Sequence, residues 1–160
     1  MTEIATTGIA PENAATEHAT ATTPETHGAA PRVAAGEKVL IADDEPNIVV
    51  SLEFMMKREG FQVLVARDGL KALETIRREH PRLVLLDATM PGMTGFDVCE
   101  AVRSDDGTRN TRIVMLTAKG RETDKARGVG AGADAYVTKP FSTRELVQTV
   151  KDMMARDAAE

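Results

Sequence analysis

The stretch LVLLDATMPGMTG, residues 83–95, decides the fold of this chain. It begins with four consecutive aliphatic residues and becomes polar at Asp87. After a turn, the chain continues beyond this stretch with apolar residues at the helical positions Val98 and Val102. A short aliphatic run is typical of a strand that is buried on both faces of a sheet, and the spacing after it predicts a helix. The stretch is therefore interpreted as one strand–helix unit with an aspartate at the carboxyl end of its strand.

Four similar units flank this stretch. Aliphatic runs predict strands at residues 38–42, 61–65, 113–116 and 135–138. The first of these strands is followed by a helix with Pro46 at its first position. Five strand–helix units in about 120 residues predict an α/β fold, a small doubly wound domain whose parallel sheet carries helices on both faces.

The helices are predicted from their apolar stripes. The second helix is expected to bury Leu70, Leu73 and Ile76, and a short fourth helix is expected around residues 121–127. Cys99 falls in the predicted third helix, away from basic or metal-binding residues that would activate a thiol, so it is interpreted as core filling.

The composition allows one domain with an aliphatic core. The chain has 160 residues, 42% of them hydrophobic, with one tyrosine and no tryptophan. A formal net charge of −5 argues against a nucleic-acid-binding surface, and no apolar run approaches the roughly 18 residues of a membrane-spanning helix. The single cysteine fits a reducing compartment, and the amino terminus lacks the layout of a secretion signal. We therefore expect a cytoplasmic protein that binds neither nucleic acid nor membrane.

The first 36 residues differ from the rest of the chain. They contain ten alanines, eight threonines and three prolines, but no aromatic residue. Such a segment buries too little apolar surface to offset the entropy of ordering, so residues 1–36 are expected to be a disordered tail and residues 37–157 the folded domain. Because 19 residues follow Phe141, no second domain is expected there, and the domain is expected to stand alone.

Chemically active side chains stand at the carboxyl ends of four predicted strands. Strand 1 ends at Asp43 and Asp44, strand 3 at Asp87, strand 4 at Thr117 and strand 5 at Lys139. In open parallel sheets, ligands bind just beyond these ends. Carboxylates that converge there repel one another, so we expect Mg²⁺ with oxygen ligands, and a lysine amine can pair with a phosphoryl oxygen. Each residue alone has an ordinary structural explanation, but the agreement of four strand ends predicts a site for phosphate chemistry.

The motifs, taken in order, resemble a known family. The segments VLIADDE (39–45), LVLLDATMPGMTG (83–95), IVMLTA (113–118) and YVTKPF (136–141) resemble the response regulator receiver domains of two-component signalling, in particular the single-domain chemotaxis regulators. The resemblance runs from about residue 38 to residue 155. It implies the flavodoxin-like strand order 2-1-3-4-5, in which strands 1 and 3 are neighbours.

The resemblance implies a role for each acidic residue at the strand ends. Asp87 resembles the aspartate that accepts the phosphoryl group. Asp44 and Asp87 would ligate Mg²⁺ directly, and Asp43 would act mainly through water. The backbone carbonyl of Thr89 would complete the protein ligands.

The resemblance also implies roles for residues of the last two strands. Lys139, joined to Pro140 by a cis peptide bond, would contact the phosphoryl group. Thr117 resembles the switch hydroxyl that binds a phosphoryl oxygen, and Tyr136 the aromatic residue that swings inward with it. Lys119 is expected to slow hydrolysis of the phosphorylated form by hindering the approach of water.

The partners follow from the same resemblance. A histidine kinase or a histidine phosphotransfer protein would supply the phosphoryl group, and the domain would catalyse its own phosphorylation and dephosphorylation. The signal would leave either by a phosphorelay or by binding a downstream protein through the face formed by the fourth helix, the fifth strand and the last helix. The sequence does not decide between these two routes.

Three other functions compete with this interpretation. An aspartate-nucleophile phosphatase of the haloacid-dehalogenase type would need a second aspartate where Thr89 stands. A dinucleotide- or flavin-binding module would need glycines where residues 43–45 are all acidic. The third alternative is a receiver-like interaction domain that takes no phosphate.

Overall fold

The computed structural model describes residues 36–118 and 130–158. Its strands are β1 (Lys38–Ala42), β2 (Gln62–Ala66), β3 (Leu83–Asp87), β4 (Arg112–Ala118) and β5 (Ala135–Lys139). Its helices are α1 (Pro46–Arg58), α2 (Gly69–Glu79), α3 (Gly95–Ser104) and α4 (Thr143–Ala158). Residues 1–35 of the predicted tail, the helix expected around residues 121–127 and Lys119 lie outside the described residues. The last residue of the predicted tail, Gly36, is described, and its N–H donates to the carbonyl oxygen of Gly60 at 3.2 Å. Within the described ranges, no helix combines the length and the apolar character needed to cross a bilayer.

The strands form one parallel sheet in the order β2-β1-β3-β4-β5, which confirms the predicted fold. Ala42 of β1 lies opposite Leu86 of β3, so the residues that follow these two positions leave the sheet side by side. On the other side of β3, Asp87 is paired with Leu116 of β4. The register therefore brings the ends of β1, β3 and β4 to one edge of the sheet.

Two apolar clusters cover the two faces of the sheet. Successive residues of β1 alternate between them: Leu40 and Ala42 pack with α2 and α3, whereas Val39 and Ile41 pack with α1 and α4. Strands β3 and β4 alternate in the same way. A strand with both faces buried needs a continuous aliphatic run, which explains the sequence pattern of the three central strands.

Two details of the prediction were wrong. Leu70 is not part of the buried stripe of α2, since 58% of the residue is exposed, while Leu73 and Ile76 are buried as expected. Leu70 lies in the first turn, next to the buried position Gly69, and its direction around the helix points away from the sheet. The second strand begins at Gln62, one residue later than predicted, because Phe61 packs in the cluster under α1 instead of pairing.

Cys99 is fully buried, in agreement with its interpretation as core filling. Its thiol donates a hydrogen bond to the carbonyl oxygen of Ala131 at 3.3 Å. Burial raises the pKa of Cys99 to about 11, so the thiol stays protonated at neutral pH.

The guanidinium of Arg103 joins the end of α3 to the segments on both sides of β4. It donates to the carbonyl oxygens of Gly132 at 2.9 Å, Arg109 at 2.7 Å and Thr111 at 2.7 Å, and to the carboxylate of Asp134 at 2.8 Å. We expect Arg103→Ala to lower the free energy of unfolding by about 2 kcal/mol, because four acceptors, two of them in partly buried hydrogen bonds, lose their donor together. Urea unfolding at neutral pH measures this loss.

The matched control is Arg77→Ala. Arg77 is about half exposed and forms an ion pair with Asp105 at 3.4 Å. An exposed pair of this kind contributes roughly 0–1 kcal/mol. Equal losses of stability in the two variants would contradict the bridging role of Arg103.

Candidate active site

Three carboxylates meet beyond the ends of β1 and β3. Asp43 is fully buried, Asp87 is 3% exposed and Asp44 is exposed. One oxygen from each lies within 4.8 Å of the others. The prediction that parallel neighbouring strands would bring these three side chains together is therefore confirmed.

Backbone N–H groups hold the two buried carboxylates in place. Oδ1 of Asp43 accepts a hydrogen bond from the N–H of Glu45 at 2.9 Å. Oδ1 of Asp87 accepts one from the N–H of Thr89 at 3.1 Å. In both cases the donor lies two residues after the aspartate, at the turn that follows the strand. The turns therefore fix the direction of each carboxylate before any ligand binds.

The amine of Lys139 lies against the same cluster. Its Nζ is 2.9 Å from Oδ2 of Asp43, 3.5 Å from Oδ2 of Asp87 and 3.4 Å from Oε1 of Glu45. The bond from Lys139 to Pro140 is cis, as the resemblance implied. Burial works to lower the pKa of Lys139, but the hydrogen bond to Asp43 and the charges of Asp87 and Glu45 outweigh it, so the pKa is raised and the amine is charged.

Burial changes the chemistry of the Asp87 carboxyl. Burial raises its pKa from 3.8 to about 6, and the charge of Asp43 acts in the same direction. The N–H of Thr89 and the charge of Lys139 oppose this rise. Near neutral pH, Asp87 is thus an ionised, poorly hydrated carboxylate beside other negative charges. Such a group favours a bound cation and is suited to attack an electrophile.

The two residues predicted as a switch lie on β4 and β5. Thr117 is buried and follows Leu116, the partner of Asp87 in the sheet. Tyr136 lies opposite Met115 and packs against the cluster under α2 and α3. Its hydroxyl is buried without a hydrogen-bond partner among the described residues, and burial raises its pKa. The structure therefore places Thr117 at the edge with the carboxylates, and the partly buried ring of Tyr136 against the core.

Sequence reasoning missed two residues of this site. Glu45 was noted as an acidic residue but was given no part, although its carboxylate shares the amine of Lys139. Gly95 begins α3 directly against the acceptor strand, and a Cβ there would lie 2.2 Å from the carbonyl oxygen of Asp87. The glycine was visible in the sequence, but the close approach depends on how α3 packs.

The comparison with protein families fits this geometry. A family model described as the response regulator receiver domain matches residues 39–151. The chain belongs to this family. Receiver domains are phosphorylated on an aspartate and act in two-component signalling with histidine kinases or phosphotransfer proteins.

Solved receiver domains resemble about three quarters of the chain. A Chloroflexus aurantiacus protein assigned to the response regulators is 36% identical with a TM-score of 0.72, and the match covers 75% of this chain and 98% of that one. Chemotaxis protein CheY4 of Vibrio cholerae is 32% identical with a TM-score of 0.70, with coverage of 74% and 99%.

A third relative contains a metal. The receiver domain of sensor histidine kinase PA1611 from Pseudomonas aeruginosa is 26% identical with a TM-score of 0.71, and the match covers 76% of this chain and 99% of that one. In that protein, a magnesium ion is coordinated in the active site cleft.

Proposed function

We infer that this receiver domain takes a phosphoryl group from the phosphohistidine of a histidine kinase or a phosphotransfer protein onto Asp87, with Mg²⁺ bound beside it. The observation that carries the proposal is the cluster of Asp43, Asp44 and Asp87, with the amine of Lys139 directly against it. This arrangement combines a nucleophile, an anionic metal site and a cation for the transferred group.

The donor set fits magnesium. The three carboxylates offer oxygen ligands alone, and oxygen ligands from one or two carboxylates, with open positions for water and phosphate, suit Mg²⁺. Asp44 and Asp87 would hold the ion directly, Asp43 mainly through water, and the backbone carbonyl of Thr89 would be the further protein ligand. When bound, the ion supplies positive charge to the oxygens of the transferred group.

The residues of the chain then have distinct tasks in the transfer. A carboxylate oxygen of Asp87 forms a bond to phosphorus as the bond from phosphorus to the donor's imidazole nitrogen breaks, and that nitrogen keeps the electron pair. The amine of Lys139 shifts from the carboxylates toward a phosphoryl oxygen. The product is an acyl phosphate on Asp87, which water later hydrolyses. Positioning and electrostatics supply most of the rate in such transfers.

The output of the phosphorylated state is proposed to run through Thr117 and Tyr136. The hydroxyl of Thr117 would bind a phosphoryl oxygen, and the ring of Tyr136 would respond to that movement. The face of β5 and α4, together with the segment before β5, would then change its affinity for a downstream protein. The hydroxyl of Tyr136 is buried without a hydrogen-bond partner in the described part of the chain, which supports a side chain that is not tied to one position. A cytoplasmic location and the absence of a nucleic-acid partner remain part of the proposal, supported by the acidic net charge.

The test of this function is phosphorylation by acetyl phosphate, read by intact mass. We expect one added phosphate in the presence of Mg²⁺ and none after chelation, with peptide mapping after borohydride reduction placing the group on Asp87. If hydrolysis is too fast for the phosphorylated product to be detected, beryllofluoride with Mg²⁺, which imitates the bound phosphoryl group, replaces acetyl phosphate in the test. If neither reagent changes the protein, the chain is a binding domain that takes no phosphate.

A further inference from the structure

The first turn of α2 is in direct contact with the loop between β3 and α3. Gly69, the first residue of α2, is buried, and a Cβ built on it would lie 2.1 Å from the carbonyl oxygen and 2.6 Å from the Cβ of Met93. Real Cβ atoms essentially never come within 3.0 Å of such atoms. Only a residue without a side chain allows these two backbone segments to touch.

The loop that receives this contact is the one that carries the reaction. It starts at Asp87, the proposed acceptor, and includes Thr89, whose backbone carbonyl is the proposed metal ligand. Its two ends are held close together, because the N–H of Gly95 donates to the carbonyl oxygen of Ala88 at 3.0 Å. A displacement at Met93 would therefore be passed on within a few residues to the atoms that would bind Mg²⁺.

An added methyl group would move the loop more than the helix. The buried side of α2 is anchored in the core by Ala72, Leu73 and Ile76. In the loop, Ala88 and Met90 are buried as well, but Thr89 and residues 91–92 are exposed. Displacing the anchored helix would open the core, whereas displacing the loop costs mainly local contacts.

We propose that Gly69 is a positioning residue for phosphoryl transfer, and that its direct contact with Met93 sets the position of the loop from Asp87 to Thr94. The inference rests on the proposed function, because it assigns a role in that same site to a residue of another element. Gly69 itself does not touch the reacting groups.

The test compares Gly69→Ala with Gly130→Ala, where an added Cβ meets no atom of the described residues within 4 Å. A displacement of about 1 Å at a reacting geometry costs on the order of 10²-fold, so we expect Gly69→Ala to lower the phosphorylation rate at saturating Mg²⁺ by roughly 10- to 100-fold. The affinity for Mg²⁺, titrated by calorimetry, is expected to fall as well. Gly130→Ala should match the wild type in both measurements.

Nuclear magnetic resonance separates positioning from a general loss of stability. In the metal-free Gly69→Ala protein, the amide signals of residues 88–94 are expected to shift, whereas a purely destabilising substitution lowers the melting temperature and leaves them in place. If Gly69→Ala does not fold, Asp68→Ala decides. In the wild type, Oδ1 of Asp68 accepts a hydrogen bond from the N–H of Lys71 at 2.8 Å and caps α2. Asp68→Ala removes this cap and loosens the same turn without adding an atom, so it should lower the phosphorylation rate by a smaller factor than Gly69→Ala.

The outcomes are distinguishable. A wild type that takes no phosphate would overturn the proposed function, and the inference with it. A wild type that is phosphorylated, beside a folded Gly69→Ala protein with the same rate and the same affinity for Mg²⁺, would overturn the inference alone. An unchanged rate in Asp68→Ala has the same meaning if Gly69→Ala is unfolded.

Discussion

The Asp87→Asn variant is expected to take up no phosphate from acetyl phosphate and to be more stable than the wild type at neutral pH without Mg²⁺. The amide lacks the carboxylate nucleophile, so the acyl phosphate cannot form. It still offers an oxygen to the N–H of Thr89, which binds Oδ1 of Asp87 at 3.1 Å in the wild type. The substitution therefore removes the charge and leaves the turn intact.

The gain in stability follows from the raised pKa of Asp87. A pKa that rises from 3.8 in the unfolded chain to about 6 in the folded one means that the folded protein holds the proton more tightly. The stability that this group contributes is present below about pH 4 and is lost as the pH rises to about 6, by roughly 3 kcal/mol. Above that range, the ionised carboxylate makes the wild type less stable than the variant.

Urea unfolding in a chelator between about pH 4 and pH 8 measures this difference. Other carboxylates titrate in both proteins, so the gap between the two curves isolates Asp87, and it should widen as the pH rises. Asp106→Asn is the matched control, since Asp106 has 86% of its side chain exposed and the same charge is removed. The control should take up phosphate like the wild type. Phosphate on Asp87→Asn would assign the acceptor to another residue, and a constant gap would show that ionised Asp87 is not destabilising.

The strands of the sheet were predictable because they depend on short-range patterns, whereas their order followed from the resemblance to receiver domains. Strands covered on both faces need uninterrupted aliphatic runs, and Lys38–Ala42 was predicted to its last residue. The errors occur at residues for which the sequence pattern allows two positions in the fold about equally well. Phe61 is apolar and could pair or pack, and Leu70 lies one position from the buried face of α2. Only the tertiary contacts of these side chains decide between the choices.

The same distinction applies to the site. The meeting of Asp43, Asp44 and Asp87 was predictable once the resemblance made strands 1 and 3 neighbours, because parallel neighbouring strands end at one edge of a sheet. The position of Glu45 on Lys139 was not, since the two residues are 94 positions apart and their contact depends on side-chain direction. The contact of Gly69 with Met93 was equally hidden, because it arises from the packing of a helix on a loop.

The second large effect is expected for Lys139→Ala, which should slow phosphorylation by roughly 10²-fold while Mg²⁺ binds more tightly. The amine lies 2.9 Å from Asp43 and 3.5 Å from Asp87, so it neutralises the same carboxylates that would bind the ion. Without this competing cation, the metal meets a more negative site. The transferred group, however, loses a positive charge that stabilises its oxygens as the bond to phosphorus changes.

These opposite changes separate the electrostatic role of Lys139 from simple damage to the fold, because a distorted site would bind the metal less well. Calorimetric titration gives the affinity for Mg²⁺, and an intact-mass time course at saturating Mg²⁺ gives the rate. Lys151→Ala is the matched control: this lysine pairs with Glu59 at 2.8 Å, and neither residue belongs to the site. An unchanged rate in Lys139→Ala would remove Lys139 from the transfer step. A slower rate with weaker metal binding would instead show that Lys139 acts by holding the site in shape.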